Sequence, residues 1–294
     1  MLVFVTGATG FVGSAVVKEL LGGGHRVLGL ARSDSGAKSL AAAGAEVHRG
    51  DLEDFESLHS GAAKSDGVIH TGFIHDFSRF EEVCDLDRRV IETLGGALAG
   101  SDRPLIITSG TGMGSAGPGQ LATEDHFNAG HANPRKASEL AGASVLAKGV
   151  NVRVVRLPQV HDPFKQGLIT YLVALAREKG VSGYVGDGLN RWAAVHRLDA
   201  ALLYRLVLER GTSGARYHAV AEEGVTARAI AESLARGMKV PTVSKSVEEM
   251  PAHFGWLAMF AGLDMPASSA LTQERLGWRP TGPGLISDLD QAHY

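Results

Sequence analysis

The chain has 294 residues, 44% of them hydrophobic, with 29 Lys and Arg against 32 Asp and Glu for a formal net charge of −3. That length can bury a substantial core, and the interspersed charges leave no basic face for nucleic acid or an acidic membrane surface. The single cysteine, Cys84, excludes an internal disulfide, and no apolar run reaches the roughly 20 residues of a membrane span.

Leu2–Thr6 reads as a short buried strand, and Gly7-Ala8-Thr9-Gly10-Phe11-Val12-Gly13 follows it directly, ahead of an amphipathic helix over Ser14–Leu21. The three glycines, spaced three apart, serve a tight turn, close approach of backbone to a diphosphate, and close helix–strand packing. The helix amino end adds free N–H groups and a positive dipole end for the phosphates. This turn predicts a dinucleotide site on Gly7, Thr9, Gly10, Phe11, Val12 and Gly13. A strand beginning at Leu2 leaves no room for a signal peptide's charged region, so the expectation is a cytoplasmic protein.

Strand and helix then alternate. Gly22-Gly23-Gly24 is a natural helix end, and Arg26–Ala31 predicts the second strand. Helices are expected near Gly36–Ala43, over Glu53–Ala62 and over Arg79–Gly100, with strands at Ala45–His48, Gly67–His70 and Pro104–Thr108 between and after them. Cys84 falls in the long helix as a small packed residue. From Gly110 to His131 the composition turns to Gly, Ser, Pro, Asn and acidic residues, a long irregular loop of the kind that often carries function. Asn133 as cap and Pro134 at the first helical position open a helix to about Lys148, and Val152–Arg156 is a sixth strand. Phe164–Lys179 and Asp199–Glu209 read as helices, Arg216–Ala219 as a strand, and Thr226–Arg236 as a Thr-capped helix. Met250–Met259 and Ser268–Trp278 read as less regular helix. Strands with apolar runs rather than alternation are buried on both faces, which predicts an α/β fold with a doubly wound parallel sheet.

With that order in place, the chain resembles the short-chain dehydrogenase/reductase superfamily, in its extended or atypical branch, over nearly its full length. Besides the glycine turn, the resemblance is carried by Gly50-Asp51-Leu52, Val68-Ile69-His70, Ile107-Thr108-Ser109-Gly110-Thr111 and Arg156-Leu157-Pro158-Gln159-Val160. Gly186-Asp187-Gly188 with Val195-His196-Arg197-Leu198-Asp199, and Leu276-Gly277-Trp278-Arg279-Pro280, extend it to the carboxyl end. It implies a Rossmann sheet with a small C-terminal substrate lobe: residues 1–160 bind the dinucleotide, and 161–294 complete the sheet and form the lobe. It also implies that Asp51 and Leu52 meet the adenine, that Thr71 and Gly72 pass under the cofactor, and that Pro158 and Val160 contact the nicotinamide amide by backbone. Ligands of such sheets bind outside the carboxyl ends of the strands, where Gly7–Gly13, Arg32, Asp51, Thr71, Ser109 and Pro158 all fall. A homodimer is a fair expectation for the superfamily.

The second strand ends in Arg32-Ser33, a guanidinium suited to a 2′-phosphate with a hydroxyl beside it, so NADP is favoured over NAD. Asp34 is the competing signal, because one residue of slippage would bring a carboxylate to the ribose. The family's chemistry uses a Tyr, with a Lys four residues later and an upstream Ser. Ser109 takes the Ser position. Counting back from Glu139 places His131 at the Tyr position and Arg135 at the Lys position; counting from Lys136 puts Ala132 there, and neither register restores the pair. His131 is then the candidate proton donor and Arg135 a holder of the ribose hydroxyls that cannot itself relay a proton. Pro134 places His131 outside the helix, so it need not project from the face that carries Arg135. Thr111, Gln159, His161, Tyr184 and Trp192 are candidate substrate contacts, and Asp87 stands where related chains carry a structural Asn. The 12 histidines form no metal-ligand motif. The expected activity is an NADP-dependent oxidoreductase on a small carbonyl or hydroxyl compound. An epimerase or dehydratase using the cofactor transiently, and a cofactor-binding sensor, remain open alternatives.

Overall fold

Val3, Phe4 and Val5 are wholly buried and lie at the centre of a seven-stranded parallel sheet. The computed structural model describes residues 1–294. Its strands are β1 (Leu2–Thr6), β2 (Arg26–Ala31), β3 (Glu46–Arg49), β4 (Gly67–His70), β5 (Pro104–Gly110), β6 (Asn151–Leu157), β7 (Gln159–His161) and β8 (Ser182–Val185). Four more follow: β9 (Arg191–His196), β10 (Arg216–His218), β11 (Glu222–Thr226) and β12 (Thr242–Lys245). The helices of the first half are α1 (Phe11–Gly22), α2 (Asp34–Ala42), α3 (Phe55–Ala63), α4 (Phe80–Leu98) and α5 (Ala137–Leu146). Those of the second are α6 (Ile169–Lys179), α7 (Arg197–Arg210), α8 (Ala227–Met238), α9 (Met250–Phe254), α10 (Ala258–Ala261), α11 (Ala270–Leu276) and α12 (Leu285–Gln291).

The large sheet runs β10-β6-β5-β4-β1-β2-β3. The chain builds outward from β1 to β3, then returns to lay β4 on the other side of β1, so the switch in direction falls between β1 and β4. One apolar cluster joins that sheet to α1 and α7, and a second joins its other face to α3, α4 and α5. Burial on both faces explains the unbroken apolar runs, each fully buried Val or Phe contributing about 1.5–3 kcal/mol. At the switch point the two flanking loops leave in opposite directions and open a crevice at the strands' carboxyl ends.

The remaining strands form a three-stranded sheet, β11-β9-β7, and a two-stranded one, β12-β8. They surround a third apolar core of Ile169, Trp192, Ile230, Leu234, Leu285 and Leu289 among others. The sequence pattern predicts none of these five short strands. The Phe164–Leu168 stretch is not helical: Asp162 Oδ1 accepts from the backbone N–H of Phe164 and of Lys165, at 2.9 and 2.8 Å, and holds a turn there before α6 begins. Helix α1 starts at Phe11, three residues earlier than the pattern suggested, and α2 at Asp34 because Ser33 caps it by accepting from Gly36 N–H. Asn133 does cap: its side chain accepts from Arg135 N–H, and Pro134 opens one tight turn before α5. No helix is long and apolar enough to cross a membrane.

Candidate active site

Gly7 adopts φ +66°, and a β-carbon there would stand 2.6 Å from the Gly72 backbone nitrogen. A β-carbon on Gly13 would reach 2.1 Å from the Gly7 carbonyl oxygen. Only glycine permits this three-way approach of β1, α1 and the segment after β4. Gly10 stands at the amino end of α1 with no side-chain cap, whereas α2, α3, α7 and α8 are capped by Ser33, Asp54, His196 and Thr226. The first N–H groups of α1 are therefore left for an anion, and the concave backbone fits the diphosphate of a dinucleotide. Thr71 Oγ1 donates to the Thr6 carbonyl at 2.7 Å and fixes the floor. Phe11 and Val12 are partly exposed at the lip, and Thr9 is exposed beside α2.

At the far end of β2, Arg32 and Ser33 are exposed. Asp34 is not free: Arg49, the last residue of the edge strand β3, pairs with its carboxylate and donates to the Ser33 carbonyl at 2.7 Å. Arg49 was missed in the sequence, although its place directly before Gly50-Asp51 brings it to the same strand end. Asp51 Oδ1 accepts from Glu53 N–H at 3.1 Å, and Leu52 lies against Gly72.

Beneath the crevice a buried polar chain crosses three strands. Thr6 Oγ1 meets His70 Nδ1 at 2.6 Å, and His70 Nε2 donates to Asp87 Oδ1 at 3.0 Å. The other Asp87 oxygen accepts from Arg135 Nη1 and from Ser138 Oγ, both at 2.6 Å. Burial pushes the Asp87 carboxyl up, but the Arg135 charge and the His70 hydrogen bond outweigh it and hold the group well below the usual carboxylate range. Arg135 Nη2 donates to the Thr108 carbonyl at 3.0 Å, and the guanidinium lies 4.1 Å over the Phe73 ring. Arg135 is thus fixed by Asp87, the Thr108 carbonyl and the Phe73 ring, with 15% of its side chain left exposed.

Ser109, at the end of β5, is 3% exposed; its hydroxyl makes no hydrogen bond of good geometry, although it lies near enough to the Glu139 carboxylate to help lower that group's pKa. Thr111 opens a tight turn just beyond it and is buried as well. His131 is partly exposed on the loop before the Asn133 cap. Its Nδ1 accepts from Asn133 N–H at 3.0 Å, which leaves the ring proton on Nε2, and burial together with Lys136 lowers its pKa. The structure brings Ser109, Arg135, Thr71 and the glycine turn to the same end of the sheet. It takes several other candidates away from solvent. The Val160 side chain belongs to the main core, which leaves only its backbone for a ligand, and Gln159 Oε1 accepts from Leu168 N–H at 3.1 Å. His161 is fully buried, with Nδ1 2.7 Å from Asp288. Tyr184 and Trp192 line one apolar cavity of the lobe with Leu172, Ile230, Leu234 and Phe254, and Trp192 is itself 3% exposed.

A second buried knot lies beside β5. Arg156, with no exposure, gives both arms of its guanidinium to Glu139 at 2.7 and 2.8 Å, and Arg216 adds a third bond at 2.9 Å. Arg156 also donates to the Thr123 carbonyl and to His218 Nε2, each at 3.1 Å. This ties the 110–131 loop to the strand ends. Glu124 then accepts from the N–H and hydroxyl of Thr272, joining the same loop to α11. On the other rim, Phe77 stacks on Trp256 at 4.3 Å between ring centres, closing the segment after β4 onto the lobe.

The parallel sheet with a glycine-lined crevice at its switch point is a Rossmann fold of the dinucleotide-binding kind. Residues 3–221 match the NAD dependent epimerase/dehydratase family, and the chain belongs to it. An uncharacterized protein of Schizosaccharomyces pombe is 46% identical over 295 residues, covering 100% of both chains. A sterol-4-alpha-carboxylate 3-dehydrogenase (decarboxylating) of Dictyostelium discoideum is 28% identical over 77% of this chain and 73% of its own. The crystal structure of DesIV, a dTDP-glucose 4,6-dehydratase from Streptomyces venezuelae with NAD bound, superimposes with a TM-score of 0.79 at 20% identity. It covers 99% of this chain and 96% of its own.

Proposed function

We propose that the protein is an NADP-dependent oxidoreductase acting on a small carbonyl or hydroxyl compound. The observation that carries the reading is the Ser109 hydroxyl, buried and without a well-formed hydrogen bond at the carboxyl end of β5, level with the glycine cradle. A buried hydroxyl left unsatisfied costs about 1–3 kcal/mol, and a substrate oxygen in the crevice would supply its bond. The family match supports nicotinamide use, and the Dictyostelium relative is named a dehydrogenase. The bound cofactor supplies or accepts hydride. The chain's own part is to orient the substrate oxygen with Ser109, to hold the nicotinamide end against the fixed Arg135, and to exchange a proton from a group other than tyrosine.

No tyrosine occurs between residues 128 and 140. His131, with its proton on the outward Nε2, is the group at hand for that exchange, and Arg135 keeps its proton throughout. NADP is favoured because Arg49 neutralises Asp34, the one carboxylate that could claim a ribose 2′-hydroxyl, while Arg32 forms no ion pair. The test is NADPH and NADH consumption across a panel of aldehydes and ketones. Steady NADPH oxidation is the expected result. Isomerised or dehydrated product with no net cofactor change would replace the reading with an epimerase or dehydratase. Tight binding without turnover would replace it with a sensor.

A further inference from the structure

The glycine turn has a second wall. The Phe11 ring, at the first position of α1, lies under two cations: the Arg197 guanidinium carbon at 5.0 Å from the ring centre and Lys165 Nζ at 5.7 Å. Both come from segments remote in sequence. Arg197 is the first residue of α7, which packs alongside α1. Lys165 closes the turn after β7, and one buried carboxylate organises both residues. Asp162 Oδ1 holds the turn that presents Lys165, and Asp162 Oδ2 pairs with Arg197 Nη1 at 3.1 Å.

The arrangement runs against the local field. Arg197 sits in the first turn of its helix and both cations face the start of α1, so they meet the positive ends of two helices. Asp162 pairs with Arg197 alone, Lys165 forms no ion pair, and Arg197 Nε is buried with no partner. An anion at the start of α1 would meet charge that the fold leaves unneutralised there, and a rule broken locally in this way points to a functional position. We propose that Lys165 and Arg197 bind the bridging diphosphate of the nicotinamide cofactor, whose other contacts are the uncapped N–H groups of α1. This rests on the cofactor reading above and adds two residues that the glycine motif does not contain.

The test titrates wild type, Lys165→Met, Arg197→Met and Arg197→Lys with NADPH, with NADH, and with adenosine 2′-monophosphate, which carries no diphosphate. Titrations are run at low and at high salt. Each Met variant should weaken dinucleotide binding roughly ten-fold and flatten its salt dependence. Adenosine 2′-monophosphate binding should be unchanged, and Arg197→Lys should retain most of the affinity. Arg197→Met leaves Asp162 unpaired and can lose the fold; Lys165 is exposed, so Lys165→Met decides alone. Unchanged dinucleotide affinity in Lys165→Met overturns the proposal, as does a loss confined to the KM of a carboxylate or phosphate substrate. A wild-type protein that binds neither NADPH nor NADH would instead remove the cofactor reading itself.

Discussion

Asp87 and Glu139 stand on neighbouring helices, α4 and α5, both buried and both against guanidinium groups. Glu139 is sealed: its Arg156 partner has no exposure, and every oxygen and nitrogen of the bidentate pair is spent on strands and loop. Asp87 is equally buried, but its Arg135 partner keeps 15% of its side chain exposed, beside the carboxyl end of β5 where it donates to the Thr108 carbonyl. Glu139 faces a knot that holds β6, β10 and the 110–131 loop together. Asp87 faces a chain that runs from β1 through His70 to the one side of Arg135 a ligand can touch. A buried charge pair with no open side is architecture, whereas one with a single open side can present a charge to a ligand in a fixed direction.

The largest effect should come from breaking the sealed pair. Arg156→Met leaves Glu139 buried with only Arg216 beside it, and urea denaturation should show a loss of about 3–5 kcal/mol. Asp87→Asn should cost less, about 2 kcal/mol, because the freed Arg135 can turn toward water. It should also disturb the ligand side: dinucleotide affinity or turnover should fall while the sealed knot is untouched. The acid limb separates the two further. The Asp87 carboxyl is held below its usual range, so its stabilisation is complete above about pH 4 and is lost as pH falls through the depressed value. Asp87→Asn should therefore flatten the most acidic part of the stability profile.

A smaller, differently placed effect belongs to His218. Arg156 can only donate to its Nε2 and the Ser268 carbonyl can only accept from its Nδ1, at 2.8 Å, so the ring is bound in its neutral form. Burial, and then the Arg156 charge, push its pKa down to about 3. The unfolded chain takes up a proton near pH 6.5 that the folded chain refuses until about pH 3. The stability this ring contributes is full above about 6.5 and drains away as pH falls between those values. In His218→Gln, whose amide can offer the same two bonds, the slope of unfolding free energy over that window should shrink. An unchanged slope would mean that other groups set the acid sensitivity.

Much of this was legible in the chain. The glycine turn, the strands β1 to β6, five of them apolar, and the Asn133 cap ahead of Pro134 each rest on local chemistry, and each stands within a few residues of where the pattern puts it. What escaped notice depends on partners remote in sequence. The lobe strands run three to six residues and gain their partners only when β7, β9 and β11 meet. Asp162 stops a helix that the 164–179 pattern extends too far. Arg49 neutralises Asp34 from 15 residues away. Arg156 did leave a signal: an arginine near the end of a strand covered on both faces must find a carboxylate, and Glu139 was the helical carboxylate nearest in sequence.

Ser109 separates architecture from function most sharply, because stability and activity should move in opposite directions. Its hydroxyl is buried without a well-formed hydrogen bond, its one polar neighbour being the Glu139 carboxylate that Arg156 and Arg216 already satisfy, so Ser109→Ala removes a poorly satisfied group at little cost in packing. The melting temperature should hold or rise, by the equivalent of up to about 1 kcal/mol. If the hydroxyl orients a substrate oxygen, kcat/KM should nevertheless fall by roughly 10- to 100-fold, with dinucleotide affinity unchanged. A variant that is more stable and equally active would make Ser109 a packing residue and return the search for the reacting group to His131.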